Sequence, residues 1–131
     1  MSTKSPRHDR RLIGTWKSDR RMTFRHWKPK PGCPPESERK FKALFGKLVV
    51  RWERGRYHSE IDGHRETVPY EVMAADSASV VIRFRDPYLG ERLQQLFFDG
   101  DRYWVATPLA PGMVEYFRRV TSNDSSPRRG G

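Results

Sequence analysis

The chain has 131 residues, the size of one typical domain, with 35% apolar residues, 32% charged residues and a formal charge of +10. A single cysteine excludes an internal disulfide, and the lack of any long apolar run excludes a helical membrane span. Four Trp, five Tyr and seven Phe argue against a disordered chain.

The charge is unevenly spread. Residues 1–11 hold four cations against one anion, residues 12–42 nine against three, residues 43–120 eleven against eleven, and residues 121–131 two against one. The surplus of the folding part therefore sits in its first third, where a nucleic acid or an anionic ligand would be met.

The opening stretch MSTKSPRHDRR has basic residues but no apolar segment behind it, so it does not read as a secretory signal. Residues 1–11 and 121–131 read as disordered tails around a domain at 12–120. The lone Cys33 fits a reducing compartment, and together these features point to a cytoplasmic protein.

The first strand is predicted from Leu12 to Lys28, bent near Asp19, with Trp16, Met22, Phe24 and His26 on one inward face. KPKPGCPP (28–35) cannot pair in a sheet, because proline lacks an N–H, and reads as an extended linker. ESERKFKALFG (36–46) follows as one short amphipathic helix, with Phe41, Leu44 and Phe45 at i, i+3 and i+4 and Gly46 at its stop. KLVVRWERG sets Leu48, Val50 and Trp52 on one face of the next strand, and Gly55 turns the chain into RYHSEI. ETVPYEVMAAD, SVVIRFR, RLQQLFF, RYWVAT and VEYFRRV complete the series, separated by turns at Asp62-Gly63, Asp76-Ser77, Asp86 to Gly90, Asp99-Gly100 and Pro108 to Gly112. Eight consecutive strands with tight turns predict an all-β, eight-stranded antiparallel up-and-down barrel with one short helix between its first and second strands.

HSEIDGH (58–64) places His, Glu, Asp and His at alternate positions, which a continuous strand would align as a metal site. Asp62-Gly63 is instead a hairpin signal that pairs Ile61 with His64 and Glu60 with Arg65, so no metal is expected. No nucleophile elbow, phosphate loop or zinc-protease motif is present, and the chain reads as a non-enzyme without a cofactor.

Gly14-Thr15-Trp16 resembles the Gly-x-Trp signature at the first strand of lipocalins and the wider calycin superfamily. The resemblance covers about Leu12 to Val120 as a pattern of elements, and it implies a Trp plug at the closed end of the barrel beneath an arginine from near the C-terminal end of the barrel. Arg118 and Arg119 are the candidates, and Arg119 is preferred because Phe117 would share its face. Cytoplasmic fatty-acid-binding proteins are similar in reading Gly-Thr-Trp-Lys, but they carry two helices between the first strands and an Arg-x-Tyr clamp. Here Tyr116 precedes Arg118 and Arg119, so a fatty acid is not implied. The Thr-Asp-Tyr motif and disulfides of secreted lipocalins are also missing, which leaves a divergent, bacterial-type lipocalin-like protein.

The expected function is non-catalytic binding of a small hydrophobic or amphipathic ligand in the barrel lumen, anionic if the basic rim is used. Phe24, His26, Trp52, Tyr57, Tyr70, Tyr103 and Tyr116 are the candidate lining residues, the tyrosines serving either a ligand or the core. Arg25, Lys28, Lys30, Lys40 and Lys42 form the basic surface expected near the mouth. The alternative is a protein or nucleic-acid interaction module with a filled barrel, working through the basic first strand and helix.

Overall fold

Short turns between successive strands let each pair with its neighbour in sequence order. The computed structural model describes residues 9–86, 90–107, 110 and 112–121. They form β1 (Gly14–Ser18), α1 (Arg20–Arg25), α2 (Pro35–Lys42), β2 (Val49–Glu53), β3 (Arg56–Ile61), β4 (His64–Ala75), β5 (Ser79–Asp86), β6 (Gly90–Asp99), β7 (Arg102–Ala106) and β8 (Val114–Arg119). The strands are a closed antiparallel up-and-down barrel, and β8 pairs back onto β1. Closure leaves no sheet edge.

One core cluster packs inside the barrel, built from residues such as Leu12, Trp16, Val50, Val80, Ile82, Leu96, Tyr103 and Phe117. Residues 1–8 and 122–131 of the expected tails lie outside the described residues, as do parts of the expected turns after Asp86 and before Gly112. Asp9 to Arg11 make a turn against the barrel. Leu12 N donates to Asp9 O at 2.9 Å, and the Arg11 guanidinium reaches Ser77 O and Ser79 O at 3.1 and 3.3 Å.

The first strand is shorter than its alternation suggested. Asp19 ends it by capping a helix: its carboxylate accepts from Met22 N at 3.1 Å, and α1 follows at once. Asp19 N donates to Tyr116 O at 2.7 Å and Tyr116 N to Thr23 Oγ1 at 2.9 Å, which seats α1 on the outside of β8. Two short helices, not one, therefore connect β1 to β2. Helix α2 starts at consecutive prolines, with Glu36 and Glu38 in its first turn and Arg39, Lys40 and Lys42 in its last, a favourable order for the helix dipole. Its Phe41 and the following Phe45 pack edge-on against Phe24, at 6.2 and 5.2 Å.

The hairpin between β3 and β4 has the register expected from Asp62-Gly63, whose φ values of 51° and 81° suit a tight mirror-image turn. Glu60 and Arg65 face each other outside the barrel as an ion pair at 3.4 Å. Among the described residues, no helix is long and apolar enough to cross a membrane.

Candidate ligand-binding cavity

The two ends of the barrel differ. At the end where β1 starts, Trp16 is paired in register with Arg119, whose guanidinium lies 4.2 Å over the indole ring. Arg119 also donates to Ile13 O at 3.0 Å and Arg11 O at 2.7 Å, while Trp16 Nε1 donates to Leu12 O at 2.9 Å. The buried Trp16 indole N–H and both terminal nitrogens of Arg119 thus have partners. Gly14 makes the close approach possible: its φ is +133°, and a Cβ there would lie 2.6 Å from Arg119 Nη1. Arg119 thus reaches both Gly14 and Trp16. Arg118 pairs instead with Lys17 and Arg102 in the register of β8, on the other face of the strand.

Above the plug lies a cavity of about 280 Å³. Its apolar wall includes Trp52, Tyr57, Val68, Phe84, Leu96, Tyr103, Val105 and Phe117; its polar lining is Ser59, Glu66, Arg92, Gln94, Thr107 and Glu115. Ser59, Glu66, Arg92 and Glu115 sit at the strand ends nearest the Asp62-Gly63 hairpin, so polarity increases toward the end opposite the plug. The volume is roughly twice that of an apolar cavity that accepts benzene, and close to the lower bound of ordinary small-molecule sites.

Aromatic contacts stiffen the wall. Trp52 packs on Tyr57 with ring centroids 4.4 Å apart, Tyr57 on Phe84 at 5.2 Å, and Tyr103 stacks on Phe117 at 5.0 Å. Trp52 Nε1 donates to the Tyr103 hydroxyl at 3.2 Å, fixing the position of that oxygen. Burial pushes the Tyr57 and Tyr103 hydroxyls above the ordinary phenol value, so both stay protonated donors.

Glu115 is the deepest constraint on polarity. Its Oε2 accepts from Ser18 Oγ at 2.7 Å, and Ser18 Oγ accepts from Gly46 N at 3.0 Å, where the chain turns with φ +94° after α2. Burial raises the Glu115 carboxyl above its ordinary 4.5, the Ser18 hydrogen bond opposing this. A carboxyl with a raised folded-state value contributes stability that is fully present below its unfolded value and is lost as pH rises through the folded value. Glu115→Gln is therefore expected to gain stability relative to the native chain as pH climbs from about 4.5 through the folded value of Glu115. Paired urea titrations across that range check the sign; a native chain that gains relative to the variant would contradict it.

Of the expected lining residues, Trp52, Tyr57 and Tyr103 meet in the cavity. Tyr70 does not: it is buried in the core, and its hydroxyl donates to Glu53 O at 2.6 Å. Tyr116 lies on the outer wall under α1, stacked on His26 at 5.2 Å, because inward positions of β8 fall on Glu115 and Phe117. Phe24 and His26 left the expected inward face when the chain turned into α1; Phe24 joins Trp27, Phe41 and Phe45.

None of Arg25, Lys28, Lys30, Lys40 and Lys42 lines the cavity. Lys28, Lys30 and Lys42 border a surface groove with Phe24, Trp27 and Cys33. Lys40 lies 3.9 Å from Glu36 and Lys42 2.9 Å from Glu38, on opposite sides of α2. Glu66, Arg92, Gln94 and Glu115 were missed, although each shares strand parity with a buried or half-buried neighbour, Val68, Leu96 or Phe117. A polar residue at an inward position near a strand end is the signal that finds them.

Among the described residues, no three His, Cys, Asp or Glu side chains are grouped to hold a metal ion. A scan against protein-family models, a search of curated proteins and a search of solved structures each return no match.

Proposed function

We propose that the barrel is a binding protein for a small amphipathic molecule, of the size of one ring with a short polar chain, held without chemistry in the lumen. The cavity above the Trp16 plug carries this reading: an aromatic wall supplies apolar contact, and polar groups gathered at one end supply orientation. A filled barrel, which an interaction module would use, leaves no such space. The lipocalin-like resemblance belongs to the same proposal, supported by the up-and-down closure and by the stack of Arg119 on Trp16.

Trp52 provides the test, because its indole N–H is in the cavity wall while Trp27 and Trp104 lie outside it. Titration of the ¹⁵N-labelled chain with 2-phenylethanol is expected to shift the Trp52 indole resonance saturably and to spare those of Trp27 and Trp104. Ser59→Trp, which places a ring in the cavity from the position opposite Val50 and Glu66, is expected to abolish the response. A response confined to Trp27 or Trp104, or one unchanged in a folded Ser59→Trp chain, would overturn the proposal.

A further inference from the structure

The basic surface suggested an anionic ligand, yet the groups that line the cavity favour the opposite sign. We infer that the lumen takes a positively charged head group, so that its ligand is a small aromatic or alkyl amine whose ammonium sits against Glu115. The inference rests on the ligand-binding reading above and specifies the chemistry of that site.

The acidic side chains in the cavity lining are Glu66 and Glu115, and the only lining cation among the described residues is Arg92. Arg92 already has a partner of its own. Glu66 lies 3.6 Å from His64 Nε2 at the rim, where it is half exposed. Glu115 is different: its carboxylate accepts from the neutral Ser18 hydroxyl, and among the described residues no cation pairs with it. Holding Oε2 with Ser18 orients the carboxylate while leaving its charge uncompensated. A partly buried carboxylate in that state gains from a cation brought by a ligand.

The wall fits the same ligand. Tyr57, Tyr103 and Phe117 offer ring faces and edges beside Glu115 in the same cavity, and an ammonium is attracted to such rings more strongly once desolvated. Tyr103, only 2% exposed, accepts from Trp52, which leaves its own proton for a ligand acceptor or a bridging water. A carboxylate ligand of the same size would instead meet Glu115 and Glu66 as like charges.

The experiment is a matched series on the full chain, 2-phenylethylamine, 2-phenylethanol and 3-phenylpropionate, titrated by calorimetry at neutral pH and low salt. The amine is expected to bind roughly tenfold tighter than the alcohol, and the acid weakest of the three. In Glu115→Gln, whose amide oxygen can still accept from Ser18, the amine's preference over the alcohol is expected to fall from roughly tenfold to within about twofold. An amine that binds no tighter than the alcohol, an acid that binds tightest, or a Glu115→Gln chain with unchanged preference for the amine would overturn the inference and leave the cavity reading standing. Binding by none of the three would overturn the cavity reading and the inference together. The ranking on the native chain decides the matter even if the variant does not fold.

Discussion

Trp16→Ala is expected to cost about 3–5 kcal/mol of folding stability, the largest effect of any single truncation in the plug. Trp16 is 1% exposed, packs edge-on against Tyr103 at 4.8 Å, and is covered by the Arg119 guanidinium at 4.2 Å. Removing the indole opens a cavity at the closed end and leaves Leu12 O without the donor it had at 2.9 Å. It also leaves Arg119 over empty space, although its two carbonyl partners remain. Urea denaturation measures the loss; a change below about 1 kcal/mol would mean that the barrel closes without its plug.

Gly14→Ala is expected to cost about 2–4 kcal/mol although it adds only a methyl group. Two terms act together: a backbone at φ +133°, which a side chain rarely tolerates, and a Cβ placed 2.6 Å from Arg119 Nη1. The far end of an arginine can move, but here movement gives up the ring contact with Trp16 and the bonds to Ile13 O and Arg11 O. The double variant with Arg119→Met separates the terms. If the clash dominates, the two changes together cost clearly less than their sum, because either one removes the Arg119 contacts; if backbone strain dominates, the costs add.

The barrel was legible in the sequence because its signal is local and repeated. Asp62-Gly63 and Asp99-Gly100 mark turns, each strand shows its period of two, and the strand order follows from tight connections. Arg119 was legible for a similar reason, since Phe117 and Arg119 share a face and the register brings that face to Trp16. The segment after Ser18 was not. Its alternation of Met22, Phe24 and His26 imitates a strand, and only the capping bond from Met22 N to Asp19, with the seat of Thr23 on Tyr116 N, selects the helix. Tertiary contacts made more than 90 residues away in sequence decide that choice.

That one change redistributed the candidate site. Once α1 leaves the wall, Phe24 and His26 pack outside the barrel, the cations that follow go with them, and Tyr116 becomes the surface on which α1 rests. The cavity chemistry passes to Glu115, Glu66, Arg92 and Gln94, polar residues that belong to no motif and are found only when strand parity is applied. A net charge of +10 therefore says little about the sign of the lumen, because charge on the outside of a barrel and charge on its inside are set by alternate residues of the same strands.

The central claim is that a small molecule enters the lumen and rests above the plug. Intermolecular nuclear Overhauser effects with 2-phenylethanol test it most directly. The account predicts contacts from the ligand ring to Tyr57, Val105 and Phe117, all lining the cavity, with none to Trp104 or Trp27. Contacts confined to Trp104, Trp27 or other outward side chains, with the inner wall silent, would contradict it.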